Sequence, residues 1–172
     1  METIKAICSR KSVRSYTGEK VSEEELKTLL KAANAAPVGM AQYQTLHITV
    51  IEDKGLLDQI EQAGARLFGK PGLHPLYGAP TLILLSSQGN GPMELSNASC
   101  VIENMALAAV DLGIGAVHIW GAVAGLNKDP GLVAELGLPE GFIPVCALAV
   151  GKSDAGYEER EIPERIQTSY LR

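Results

Sequence analysis

No stretch of this chain approaches the ~20 uninterrupted apolar residues that a membrane-spanning helix needs, so a membrane partner is not expected. The N-terminus, with Glu2 and no long apolar run, lacks the pattern of a secretory signal. Cysteine is sparse: Cys8, Cys100 and Cys146 are far apart, odd in number and form no CxxC pair. Such thiols point to buried, reduced side chains in a cytoplasmic protein rather than to disulfides. His47, His74 and His118 stand at no metal-ligand spacing from one another or from a cysteine, so no metal site is expected. A GxSxG elbow is absent, which removes the hydrolase that depends on one. Gly113-Ile114-Gly115-Ala116-Val117-His118 approximates GxGxxG but lacks its third glycine. It also follows a helical pattern and precedes a strand, the reverse of the dinucleotide-binding order. Basic residues are the minority, 15 against 20 acids for a net charge of −5. The one dense basic cluster is not extended into a stripe, so a nucleic-acid partner is not expected.

What is present is apolar material in alternating helical and strand patterns. Apolar residues make up 46% of the 172, enough for a sizeable core, and the length suits one domain over residues 1–172. Ser22-Glu23-Glu24-Glu25 is a capping box, after which Leu26, Leu29, Leu30 and Ala33 share a helical face and Pro37 closes the segment. His47–Ile51 reads as a strand, and Leu56, Leu57, Ile60, Ala63 and Leu67 mark a second amphipathic helix. Residues 69–80, rich in glycine and proline, read as a loop, and the apolar run Thr81–Leu85 as a strand covered on both sides. Ala98 to Leu112 is apolar on almost every face, the mark of a central helix, with Gly113 as its C-cap. Strands over Ala116–Trp120 and Ile143–Val150 flank a helix around Pro130–Leu136. The charged tail after Gly151 either wraps a neighbouring subunit or frays. These patterns specify α/β or α+β.

The segment richest in chemistry is Arg10-Lys11-Ser12-Val13-Arg14, three cations in five residues of an acidic chain. If it runs extended, side chains 10, 12 and 14 project to one face, which then carries two guanidinium groups with a hydroxyl between them. Each planar fork can make two charge-assisted hydrogen bonds to a phosphate dianion. A solvated basic turn would have the same composition, and the segment by itself does not separate the two. Trp120, the only tryptophan, is open in the same way between core packing and a cofactor-facing role.

Arg10-Lys11-Ser12-Val13-Arg14-Ser15-Tyr16 resembles the "R-x-S-x-R/K-x-Y/F" signature of the nitroreductase family of FMN-dependent oxidoreductases. Ala36-Pro37-Val38-Gly39-Met40-Ala41-Gln42-Tyr43-Gln44 is similar to that family's "A-P-S-x-x-N-x-Q-P-W" loop. Val38 stands where the family has Ser or Thr, Gln42 matches the Asn only with one residue inserted, and Thr45-Leu46 replaces Pro-Trp. Asn104-Met105-Ala106-Leu107-Ala108-Ala109-Val110-Asp111-Leu112-Gly113-Ile114-Gly115, then Ile119-Trp120-Gly121, resembles the "N-x-x-L-A-A-x-x-L-G-L-G" helix with the strand and glycine beyond it. Arg160 with Pro163 is similar to the C-terminal "R-x-P".

The resemblance implies an α+β fold, three-layered, with a mixed and mainly antiparallel central sheet flanked by helices, in an intertwined homodimer whose tail, about residues 152–172, packs on the partner. It implies an enzyme that moves hydride from NADH or NADPH through FMN to a small-molecule electron acceptor such as a nitroaromatic or quinone, by ping-pong kinetics. Arg10, Ser12 and Arg14, with Arg160, would hold the phosphate and ribityl chain, and Lys11 would reach the phosphate or the ring edge. Backbone groups of Ile119, Trp120 and Gly121 would face the flavin ring. Pro37, Val38, Gly39, Gln42 and Gln44 would come from the second subunit. No side chain is expected to act as catalytic acid or base. A relative with other flavin chemistry, a flavin-binding module with little turnover, and a phosphate-holding structural protein remain as alternatives.

Overall fold

Four apolar runs form four strands: β1 (Leu46–Ile51), β2 (Thr81–Ser87), β3 (Gly115–Ile119) and β4 (Ile143–Gly151). The computed structural model describes residues 2–172 and places the strands side by side in the order β1-β2-β4-β3. Each pairing is antiparallel, with Leu46 opposite Ser87, Thr81 opposite Val150 and Gly115 opposite Gly151. β2 and β4 form the centre and are buried almost end to end. Both of their faces are covered, which is why they read as continuous apolar runs instead of alternating ones.

The helices are α1 (Thr3–Ser9), α2 (Glu23–Asn34), α3 (Lys54–Leu67), α4 (Pro92–Leu112), α5 (Gly121–Leu126) and α6 (Pro130–Glu135). The period of two along the strands sorts the core into two layers. Ile83, Leu85, Cys146, Leu148 and Val150 pack with Leu29 and Ala33 of α2 and Ile102, Met105 and Ala109 of α4. Leu82, Leu84, Ala147 and Ala149 point the other way, against Leu57, Ile60 and Ala63 of α3 and Val123 and Leu126 of α5. The α+β architecture of a sheet between two helical layers is thus the one expected, and its four strands are antiparallel throughout. Among the described residues no helix is long and apolar enough to cross a membrane.

Local chemistry fixes the helix ends. The Ser22 hydroxyl accepts from the Glu25 amide while the Glu25 carboxylate accepts from the Ser22 amide at 2.7 Å, completing the capping box. Lys152, just beyond β4, also donates to Glu25, and that bond more than any other influence holds the carboxyl below its usual range. Gly113 adopts φ 68°, the left-handed C-cap that ends α4. Two helices escaped the sequence reading because they are too short for periodicity to register. α1 forms from the segment preceding Arg10, and α5 follows Trp120 directly. α4 also begins six residues before its apolar stretch, at Pro92, whose missing amide hydrogen costs nothing in a first turn.

Residues 10–17 run along the outer edge of β3. The Val13 amide donates to Ala116 O at 2.9 Å, and the Thr17 amide to Lys152 O at 3.0 Å. Tyr16 anchors this run. Its hydroxyl lies 3.1 Å from Val13 O and 3.2 Å from Ala149 O, and burial pushes its pKa above the usual range. Its ring covers two glycines: a β-carbon on Gly115 or Gly151 would come within 3.1 Å of it. At Gly151 that β-carbon would also lie 2.6 Å from Pro80 Cδ. Gly151→Ala should therefore cost roughly 1–3 kcal/mol through overpacking. A urea midpoint equal to that of the native chain would show that Pro80 and Tyr16 yield freely.

Candidate functional site

The cationic segment begins where α1 ends, and a tail residue closes that end. Arg160 Nε donates to Cys8 O at 3.0 Å, and a second guanidinium N–H donates to Arg10 O, so the last carbonyls of α1 face a cation. Arg160 thus grips the backbone of the expected phosphate loop. Lys11 Nζ donates to Ala155 O at 2.7 Å, the Ser153 hydroxyl to Ser15 O at 2.8 Å, and the Tyr157 hydroxyl to Ile114 O at 2.8 Å. The first part of the tail is therefore stitched to its own chain. From Glu158 onward every residue is exposed, and Ile166 and Leu171 reach 81% and 99%.

Arg10 and Arg14 do not share one face. α1 packs on α4 and carries Arg10 toward it, where Arg10 Nε pairs with Glu103 Oε1 at 3.1 Å. Tyr16 is drawn into the opposite layer, and Arg14 goes with it, its guanidinium carbon 5.6 Å over the ring of Tyr77. Among the described residues no carboxylate pairs with Arg14, and the Ser12 hydroxyl has no hydrogen-bond partner. These two groups are the open donors of the segment. His118, the one outward-facing residue of β3, lies close to Arg10; partial loss of hydration first, and then the Arg10 charge, hold its imidazole below the usual 6.5.

At the end of β3, Ile119 is buried but Trp120 is 63% exposed, so core packing does not account for the tryptophan. Gly121 carries the ring of Phe68, which lies where a β-carbon would be, 2.6 Å from Phe68 Cε2. Phe68 is itself half exposed, so both it and Trp120 present aromatic surface to solvent near the end of β3. Phe68 and Tyr77 were invisible in the sequence because each meets the site only through folding.

The Pro37–Gln44 loop lies elsewhere. It is built from two single 3-10 turns, Gly39–Ala41 and Tyr43–Thr45, and leads into β1. The Gly39 amide donates to Asn97 Oδ1 at 2.9 Å, and Met40 and Ala41 both hold left-handed backbones, at φ 56° and 54°. Such positions cost energy and cluster at functional sites. Pro37 and Gln44 are exposed and Gln42 is half-buried. The Val38 side chain, in contrast, is buried in the α2–α4 core, so only its backbone is available to a ligand. β1 and β3 are opposite edges of the sheet, three strand spacings or roughly 14 Å apart. Asn97 and Glu103 tell the same story on α4, being ~9 Å apart along the axis and ~120° around it. One chain brings together Arg10–Arg14, Arg160 and Ile119–Gly121, and holds Pro37–Gln44 apart from them.

Over residues 7–152 the chain matches the nitroreductase family. It belongs to that family. It is 28% identical to an FMN reductase (NAD(P)H) of Bacillus subtilis over 99% of this chain and 75% of that one. The fold is shared with a solved nitroreductase with bound FMN from Desulfitobacterium hafniense, 24% identical with a TM-score of 0.87 over the whole of both chains. A nitroreductase with bound FMN from Bacteroides fragilis is 26% identical, with a TM-score of 0.84 over the same coverage.

In this nitroreductase-family chain the Arg10–His118 pair is open to direct measurement. Because the folded imidazole titrates below its unfolded value, its contribution to stability is complete above pH 6.5 and is lost as pH falls through the folded pKa. Arg10→Gln removes the neighbouring charge, so NMR of the His118 ring should show its midpoint move upward. An unmoved midpoint would leave partial loss of hydration as the sole cause.

Proposed function

We propose that this chain is an FMN-dependent oxidoreductase that passes hydride from NADH or NADPH to a small-molecule electron acceptor such as a nitroaromatic or quinone. It works as a homodimer of single-domain subunits in the cytoplasm, where its three free thiols stay reduced. The observation that carries this reading is the edge of β3, where among the described residues no carboxylate pairs with Arg14 and no group bonds the Ser12 hydroxyl, on the strand that ends in exposed Trp120. That donor set suits a phosphate dianion. The relatives support FMN in particular, since two solved ones hold it and one is an FMN reductase.

FMN when bound supplies the two-electron chemistry, and the protein's share is binding, orientation and charge. Arg14 and Ser12 hold the phosphate directly. Arg10 divides its charge between the phosphate and Glu103. Lys11 and Arg160 secure the loop through Ala155, Cys8 and Arg10 carbonyls and stay close enough to add positive potential. The backbone of Ile119, Trp120 and Gly121 faces the ring. Pro37, Gly39, Gln42 and Gln44, with the backbone of Val38, cover it from the second subunit.

The separation of the two halves supports the dimer. A two-fold axis would carry the loop at one chain's β1 edge onto the β3 edge of the other, and would do so twice. Exposed apolar side chains are in place to be covered by such a partner: Ile4 and Ile7 on α1, Met93 and Leu95 on α4, and Ile162, Ile166 and Tyr170 in the tail.

Purified protein should carry FMN, and not FAD, at about one per subunit, bleached by NADH or NADPH; mass spectrometry of the released cofactor decides this, and FAD or no flavin in folded protein would sink the reading. Arg14→Ala should weaken FMN binding by roughly 1.5–3 kcal/mol, the worth of a charged hydrogen-bond partner. The shared site is tested by mixing two inactive variants, Arg14→Ala and Gly39→Trp. A mixed dimer then holds one doubly altered site and one intact site, so activity should partly return. No recovery after verified subunit exchange would rule out sharing.

A further inference from the structure

Tyr77 occupies a backbone conformation that tyrosine rarely adopts. Its φ is 57°, in the left-handed region, and Gly78 follows at 73°. The turn that imposes this is anchored throughout. Pro75 packs against α3 so closely that a β-carbon on Gly64 would lie 2.9 Å from its ring. Leu76 is buried and its amide donates to Glu61 Oε1 at 3.2 Å, while Glu61 Oε2 lies 3.1 Å from His74 Nδ1. The Tyr77 amide donates to His74 O at 3.0 Å and the Ala79 amide to Leu76 O at 3.1 Å. The result is a tyrosine ring packed on the α3–α5 core with the Arg14 guanidinium above it.

We propose that Tyr77 is a positioning residue that holds the Arg14 guanidinium at the β3 edge for the phosphate of the cofactor. This rests on Arg14 as a phosphate ligand. Arg10, four residues earlier, illustrates the usual way to hold an arginine: a carboxylate, Glu103, that fixes the fork and also cancels its charge. An aromatic face holds a cation by the quadrupole of the ring and leaves both the charge and the in-plane N–H donors to a third group. In a chain with 20 acidic residues, Arg14 is met by a ring held at a strained backbone position, and among the described residues no carboxylate pairs with it. That arrangement keeps the fork ordered and still fully charged.

The experiment titrates FMN and riboflavin, which has the same ring without the phosphate, onto the full-length protein freed of cofactor. Tyr77→Asn removes the aromatic face while tolerating a positive φ, and Tyr77→Phe keeps the face. Tyr77→Asn should weaken FMN about two- to fivefold, the effect of one exposed cation–π contact. It should leave riboflavin affinity unchanged, and Tyr77→Phe should bind FMN like the native protein. In an Arg14→Met background Tyr77→Asn should have no further effect. Equal weakening of FMN and riboflavin, unchanged FMN affinity in Tyr77→Asn, weakening by Tyr77→Phe, or a loss that persists without Arg14 would each overturn the role given to Tyr77. FMN affinity unaltered by Arg14→Met would overturn the phosphate reading itself, and Tyr77 with it.

Discussion

The ring of Tyr16 packs against the backbone of two glycines, and the placement of the cationic run Arg10–Arg14 depends on that contact. Gly115 opens β3 and Gly151 closes β4, directly opposite each other in the ladder. With no β-carbon on either, the ring sits against the sheet and its hydroxyl reaches carbonyls on both sides. Residues 13–17 are thereby drawn past the start of β3 toward the end of β4, Val13 bonding Ala116 and Thr17 bonding Lys152. Val13 is buried in the process, so Ser12 and Arg14 stand outward. A motif tyrosine thus places the cationic residues on either side of Val13.

The charge balance of the segment follows from the two layers it bridges. Arg10 belongs to the α1–α4 side, where a carboxylate meets it, and Arg14 to the α3–α5 side, where a ring does. Of the segment's two arginines, one is already paired with a carboxylate and the other lies over a ring. The whole chain's net charge of −5, this segment included, sharpens the contrast, because an uncompensated guanidinium is a local feature in an acidic protein. Trp120 and Phe68, both exposed, stand near the other end of the same strand.

Sheet order sets the limit on what one subunit can do. With β1 and β3 at opposite edges, the strained loop ahead of β1 and the cationic run beside β3 face outward in different directions. In the proposed dimer, two-fold symmetry would bring such surfaces together, one operation completing two sites. The tail fits this geometry: its first half is committed to its own chain by Lys11, Ser15 and Arg160, while its apolar residues beyond have nothing of their own chain to cover them.

Period and composition determined much of this protein. All four strands, the long central helix, the Ser22 capping box, the Gly113 cap and the cationic motif were legible because each depends on residues near in sequence. Membership of the nitroreductase family was legible for the same reason, as an ordered set of short motifs. Tertiary structure decided the rest. It put Val38 in the core, turned Arg10 and Arg14 to opposite layers, exposed Trp120, and set Tyr77 and Phe68 beside residues more than 50 positions away in the chain. Those outcomes depend on which surfaces the helices cover and on where a glycine admits a ring. Local patterns carry no record of either, because both are properties of contacts that exist only after the sheet has closed against its two helical layers.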